Sequence, residues 1–255
     1  MERGLILLVA AALMAYVAPG VQGTFHLSFS NNTEVNITRD GCGATKLCVE
    51  TPNDCDPSAT NGSCLFGSVM ASTPMPPNGA NLNMELRGFS EGYVALGLTA
   101  DQSQGTTMLF VCAQNSSNNG SFFFRTMQRN NTNGVLTPLE RIVREIRGMV
   151  NVMVNGSVIK CEFEIPNANA SRASREVSTT FQVLLGTGPV VGNMIGDFRI
   201  AVNTTLLNLG NPTSTNVATT ANPVAMTTNS ASNGAHPHAV LFLLSVLSLA
   251  VMLRA

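Results

Sequence analysis

Tryptophan is absent from this 255-residue chain, tyrosine occurs twice and histidine three times. Charged residues make up only 11%, and the formal net charge is −1. Each shortage excludes something. Lys46 and Lys160 are the only lysines, so the basic footprint that nucleic acid or an acidic membrane surface requires is missing. His236 and His238 stand near the C-terminus, which leaves His26 as the one imidazole in the body of the chain. With a single imidazole left there, a Ser-His-Asp arrangement has no plausible members. No Walker loop or dinucleotide fingerprint occurs. There is no C-x-x-C pair and no histidine near the cysteines, which argues against zinc. The acidic loop residues Asp54, Asp56 and Asp101 lack the spacing of an EF-hand and read as turn formers. No internal repeat is present.

What is there begins with the two ends. Residues 1–23 read as a secretory signal peptide. Arg3 gives the basic start, Leu5 to Val17 the apolar run, Pro19 a break, and Val21-Gln22-Gly23 a small-residue cleavage site. Ala239 to Leu253 form an uncharged apolar tail of 15 residues. At a rise of about 1.5 Å per residue it reaches about 22 Å, short of a bilayer core of about 30 Å. Before it lie the small residues Asn229, Ser230, Ala231 and Ser232, then a polar spacer, Asn233 to His238. Small residues, spacer and apolar terminus together form a glycosylphosphatidylinositol (GPI) attachment signal, with Asn229 or Ser230 as the modified residue. The expected product is a protein of the extracellular face of the plasma membrane, held in the outer leaflet by a GPI anchor. Residues 230–255 are then a propeptide.

All six cysteines lie between these signals: Cys42, Cys48, Cys55, Cys64, Cys112 and Cys161. An even count in a secreted chain predicts three disulfides. N-x-S/T sequons stand at Asn31, Asn36, Asn61, Asn115, Asn119, Asn130, Asn155, Asn169 and Asn203. Sugars there would keep a weakly charged surface soluble.

Residues 24–206 read as one all-β domain. "YVALGL" alternates, with Val94, Leu96 and Leu98 on one face and Tyr93, Ala95 and Gly97 on the other. "MLFVC" is apolar throughout, as in a strand buried on both faces; Met108 is one of its core residues. In "VNVMVNGSVIKCEFEI", Asn155-Gly156 fits a two-residue type I′ hairpin turn. Beyond it Ile159, Cys161, Phe163 and Ile165 share one face, and Lys160, Glu162 and Glu164 the other. Cys161 therefore points inward and Cys112 ends a buried strand, which predicts a Cys112–Cys161 staple between sheets. "TTFQVLLG" and "DFRIAVN" add strands, the second alternating Phe198, Ile200 and Val202. Short strands with turn signals between them imply an immunoglobulin-like β-sandwich or a barrel. One short helix is expected in "TPLERIVREIRG", started by Pro138, with Ile142, Val143 and Ile146 on one side and Gly148 at its end. Residues 207–229, rich in Ser, Thr and Pro, cannot bury enough surface to fold and read as a disordered, O-glycosylated stalk.

Four stretches carry a family likeness. "CGATKLCVETPNDCDPSATNGSCLF", "ELRGFSEGYVALGLTAD", "QGTTMLFVC" and "SVIKCEFEIP" resemble, in order and spacing, the extracellular DOMON domain of the ferric-chelate reductase 1 group, over roughly residues 40 to 200. The resemblance implies a β-sandwich that, in redox-active relatives, binds haem b through a methionine and a histidine and precedes a transmembrane cytochrome b561 core. This chain departs from the pattern. The methionine position falls on Gln104, before Gly105. In "GTGPVVGNMIGDFRI" the histidine position falls on Phe198. An amide is a poor substitute for a thioether on iron, and a phenyl ring cannot ligate. No helix-length apolar run separates the two terminal signals, so no b561 core is expected. His26 and Met194 do not rebuild the site.

The expectation is a non-catalytic, cell-surface binding or adhesion module without cofactor or metal, whose partner is an extracellular protein or small ligand. One alternative is a haem b redox module related to ferric-chelate reductases. Another is a carbohydrate-binding module, for which Tyr93, Phe122, Phe123 and Phe124 are the aromatic resources.

Overall fold

The computed structural model describes residues 27–30, 32–60, 62–114, 121–171, 177–192 and 194–213. The expected signal peptide, His26, residues 214–229 of the stalk, Asn229, Ser230, His236 and His238 lie outside the described residues, as do Asn31, Asn61, Asn115 and Asn119. The first residues assigned to the stalk are instead folded, Leu207 on the last strand and Leu209 beyond it both packing into the core.

The described chain is all-β. In order the strands are β1 (Leu27–Ser30), β2 (Leu47–Thr51), β3 (Leu65–Ala71), β4 (Ala80–Ser90), β5 (Tyr93–Thr99), β6 (Thr106–Gln114) and β7 (Phe122–Asn130). There follow β8 (Leu136–Pro138), β9 (Arg144–Met153), β10 (Gly156–Ala168), β11 (Thr180–Gly188), β12 (Val190–Val191), β13 (Met194–Ile195) and β14 (Arg199–Asn208). The larger sheet runs β1-β7-β6-β5-β11-β14, with β8 on β7; the smaller runs β2-β3-β4-β10-β9; β12 and β13 form a separate hairpin. Every strand pair is antiparallel.

The alternation read in the sequence explains why the sheets stack. Val94, Leu96, Leu98, Phe110, Cys112, Val183 and Leu185 from the larger sheet meet Leu82, Met84, Leu86, Ile159, Cys161, Phe163 and Ile165 from the smaller. Phe163 lies 5.5 Å from Phe110 and 5.0 Å from Phe124, ring centre to ring centre. Burying such a ring contributes about 1.5–3 kcal/mol. Met108 packs half-buried against this core. Cys112 and Cys161 bridge the two sheets, as expected, with their Cα atoms 6.5 Å apart. The pairings that sequence left open are Cys42–Cys48 and Cys55–Cys64.

Three further expectations need correction. No helix forms among the described residues: 137–148 gives the end of β8, an extended link and the start of β9. Ile142, Val143 and Ile146 are β-branched, and the ladder to β10 outweighs a local helical pattern. The ladder also absorbs an irregularity, because three steps on β9, Arg147 to Arg144, face two on β10, Glu162 to Glu164. Within it Glu145 takes φ 50°. The β9–β10 turn has Val154 and Asn155 at its tip, since Gly156 pairs with Met153; only Gly156 there has a positive φ, 135°. A type I′ turn at Asn155-Gly156 is therefore not formed. The shift preserves the side-chain parity, so the inward face of β10 is unchanged. Finally, Phe198, Ile200 and Val202 do not share a face. Leu185 pairs with Val202 but Gly186 with Ile200, so Ala201 is an extra residue. That bulge turns Val202 into the core while Phe198 and Ile200 stay on the outer face.

Candidate functional site

The outer face of the larger sheet is apolar rather than wet. Tyr93 and Ala95 on β5, Leu109, Val111 and Ala113 on β6, Phe123 and Met127 on β7 and Leu184 on β11 form a second buried cluster with Phe198. None of these is more than 8% exposed. A face of this kind needs a cover, and the chain from Pro189 to Phe198 supplies one. Val190, Ile195 and Ile200 pack on the cluster from this segment and the start of β14, and Leu136 from β8.

Two features pin the cover. The Tyr93 hydroxyl donates to the Gly196 carbonyl at 2.9 Å. Burial, helped by the Asp197 carboxylate, holds the Tyr93 phenol well above its ordinary pKa. Beneath the cover, β11 carries Gly186 and Gly188. A Cβ on Gly186 would lie 2.6 Å from Phe198 Cε2 and still closer to the Arg199 carbonyl; one on Gly188 would collide with Tyr93 and the Asp197 carbonyl. The two glycines make the depth that Phe198 and Tyr93 fill.

Gln104 sits in the loop from β5 to β6, and that loop is cross-tied. Asp101 Oδ1 accepts from the Ser103 N–H and hydroxyl at 2.8 and 2.6 Å, and Asp101 Oδ2 from Gln104 Nε2 at 2.8 Å. These bonds hold the Asp101 carboxyl below its ordinary pKa, Ser103 contributing most. Asn131 Nδ2 donates to the carbonyls of Asp101 and Gln104, at 2.7 and 3.1 Å, and Thr107 Oγ1 donates to Asn131 Oδ1. Gln182 Oε1 on β11 accepts from the Gln102 N–H at 2.8 Å. An open groove of about 580 Å³ runs beside the loop, lined by Thr99, Asp101, Gln104 and Ala170.

The two positions that the resemblance assigns to haem ligands therefore do not fit the group. Gln104 is an exposed amide bound to Asp101, and Phe198 is a buried hydrocarbon ring. Gln104 is not among the residues of the Phe198 cluster. Met194, at 69% exposure, is on the surface.

The outer face of the smaller sheet is charged and partly roofed by the cysteine loops. Val35, Ile37, Cys64 and Phe66 form a small cluster there, with Cys42, Cys48, Cys55 and Met149 packed against it. Arg87, fully buried, donates to the carbonyls of Ala59, Gly62 and Cys64, which ties the second cysteine loop to β4. Burial lowers its pKa. Lys46 Nζ bonds the Thr38 carbonyl and Glu85 Oε2, each at 2.8 Å, and Ser68 Oγ donates to the same carboxylate oxygen at 2.5 Å. Lys160 lies among these groups, its pKa lowered by burial and then by Arg87. A cleft of about 260 Å³ includes Glu85, Glu145, Arg147, Glu162 and Glu164. Among the described residues no group of three or more His, Cys, Asp or Glu is placed to hold a metal ion.

Of the described sequons, Asn36, Asn130 and Asn155 are exposed. Asn169 and Asn203 are half-buried; Asn169 Oδ1 accepts from the Ser171 and Ser178 N–H groups. The aromatic run is spent on packing, since Phe122, Phe123 and Phe124 are all buried.

These observations define a disulfide-stapled β-sandwich with one outer face closed by its own chain. No family model matches the chain, and no solved structure matches it. Among curated sequences it is homologous to "Putative ferric-chelate reductase 1" of Danio rerio, 31% identical over 174 residues, which is 68% of this chain and 28% of that protein. It is also 31% identical over 74 residues to the protein of the same name from Xenopus laevis, covering 29% of this chain and 11% of that protein. The chain thus spans less than a third of the length of the relatives it matches.

Proposed function

We propose that the chain is a secreted, N-glycosylated domain held at the cell surface by a GPI anchor, and that it works as a non-catalytic binding or adhesion module. In this reading it shares the sandwich of its reductase relatives but has given up iron chemistry. The observation that carries it is Phe198. A phenyl ring seated over Gly186 and covered by the Tyr93–Gly196 latch offers no lone pair to a metal. Gln104, the other position, has its amide engaged by Asp101. The partner is an extracellular protein or a small ligand, and the outer leaflet is reached through the lipid alone.

One spectrum tests the central claim. Full-length protein from secretory cells, mixed with excess haemin and desalted, is expected to show no Soret band. Haem retained at one equivalent per chain overturns the reading in favour of an extracellular haem b redox module. The anchor is tested separately: phosphatidylinositol-specific phospholipase C is expected to release the chain from intact cells, and failure to release it refutes the GPI assignment.

A further inference from the structure

One end of the sandwich carries an exposed apolar surface with a sequon inside it. The tip of the β9–β10 hairpin presents Val152, Met153 and Val154, which are 40% to 99% exposed. Phe89, itself partly exposed, lies against Gly156, where an added Cβ would be 2.7 Å from the ring. The β12–β13 hairpin is at the same end, because Gly92, in the β4–β5 turn, abuts the backbone of Pro189 and Val190. It adds the exposed Val191 and Met194. Between the two hairpins runs a groove of about 420 Å³ lined by Phe89, Glu91, Asn155, Pro189 and Arg199. Exposed apolar side chains gathered in one place are uncommon on soluble monomers and mark something that covers them.

The cover can be deduced from position. A membrane is a poor candidate. β14 starts beside this end, where Arg199 pairs with Thr187, and runs to the other, where Asn208 pairs with Thr180. The chain leaves the sheet there, so the tethered C-terminal side and the apolar tip are at opposite ends of the strand. The charges facing the groove, Glu91 and Arg199, cancel and select no charged partner. Asn155, in contrast, lies in the groove wall, is exposed, and is the first residue of Asn155-Gly156-Ser157.

We propose that Asn155 carries an N-linked glycan whose task is to cover this apolar end, so that Val152, Val154, Phe89 and Met194 are not recognised as unfolded surface or used for self-association. The inference rests on the extracellular, glycosylated reading above. A bulky, hydrated sugar is a suitable cover for apolar surface that the fold itself leaves open.

The test uses the full chain expressed in secretory cells. Peptide N-glycosidase in heavy-oxygen water followed by mass spectrometry reads occupancy at each sequon. Asn155 is expected to be modified. If Asn36 or Asn130 is modified and Asn155 is not, the inference fails and the extracellular reading stands. If no sequon is modified, that reading fails and takes the inference with it. The second arm reads the share of chains whose remaining glycans resist endoglycosidase H, a measure of passage beyond the endoplasmic reticulum. Asn155→Gln is the cleaner variant, because Ser157 Oγ donates to Gln114 Oε1 at 2.6 Å and is needed by the fold. Asn155→Gln is expected to lower that share several-fold relative to Asn36→Gln, and adding Val154→Ser is expected to restore it. Equal maturation of the two single variants overturns the shielding role. So does a defect that Val154→Ser leaves untouched, because a broken turn rather than an uncovered patch would then be the cause.

Discussion

Gly186 decides whether the outer face of the larger sheet can close. Any Cβ there meets Phe198 and the Arg199 carbonyl, and neither can retreat: one is walled in by the cluster, the other belongs to a paired strand. Gly186→Ala is expected to cost about 1–3 kcal/mol, the usual range for overpacking. Chemical denaturation should show a lower midpoint with an unchanged slope. The Tyr93 latch is smaller: Tyr93→Phe removes one hydrogen bond and should cost about 1 kcal/mol. Asp101 supplies the pH dependence at this scale. Its folded pKa lies below the ordinary 3.8 because Ser103 and Gln104 donate to the ionised form. The ionised carboxylate therefore supports the loop fully above about pH 3.8, and the support is lost as pH falls through the lower folded value. Amide exchange at Ser103 is the direct reporter. It should stay slow at pH 5 and quicken, beyond the change in intrinsic rate, on acidification below that window; Asp101→Asn should be fast at both.

At the scale of elements, the departures from simple alternation carry most of the information. Glu145 adopts φ 50° inside β9, a conformation that costs an L-residue about 1–2 kcal/mol. Glu145→Gly is therefore expected to stabilise the domain by about 1 kcal/mol, and a melting temperature below that of the parent would contradict the bulge geometry. Strands without such insertions were legible from sequence. β5, β6 and, as far as Ile165, β10 keep period two, so the inward placement of Val94, Phe110 and Cys161 follows from counting. Beyond Ile165 β10 bulges as well, three steps to Ala168 facing two on β4. Bulges leave no such trace. Nothing in "DFRIAVN" announces that Ala201 is the odd residue, yet it alone sends Val202 and Phe198 to opposite faces. The supposed helix failed for the same reason, since "ERIVREIR" carries a helical period that the β10 ladder overrides. The site was legible only in part. Counting located Gln104 and Phe198 in the chain, and Asp101 was legible as a turn former, its bonds to Ser103 and Gln104 being local. The glycine floor, the latch and the ties from Asn131 and Gln182 to that loop are long-range and could not be seen in any window.

For the whole molecule, the question is what holds two sheets together when the surface carries so little charge. The core between them does most, and Cys112–Cys161 crosses it directly. The three disulfides differ in what they join. Cys42–Cys48 closes a separation of 6 residues and Cys55–Cys64 one of 9, both within the roof over the smaller sheet. Cys112–Cys161 closes 49 residues and links β6 to β10. Chain-entropy scaling gives about 4 kcal/mol for the long loop against about 2 kcal/mol for the shortest. The Cys112→Ala/Cys161→Ala double variant should thus lose roughly twice the stability lost by Cys42→Ala/Cys48→Ala, before any cavity is counted. It should also weaken the whole sandwich, whereas the shorter-loop variant should loosen the roof first. Hydrogen exchange separates the two. Removing the long bridge is expected to raise exchange at Leu96 and Ile159 together, on both sheets. Removing Cys42–Cys48 should raise it around Lys46 and leave those core amides protected. If both variants expose the same amides by the same amount, the sheets are not independent layers clasped by one bond, and the assignment of Cys112–Cys161 as the staple between them is wrong.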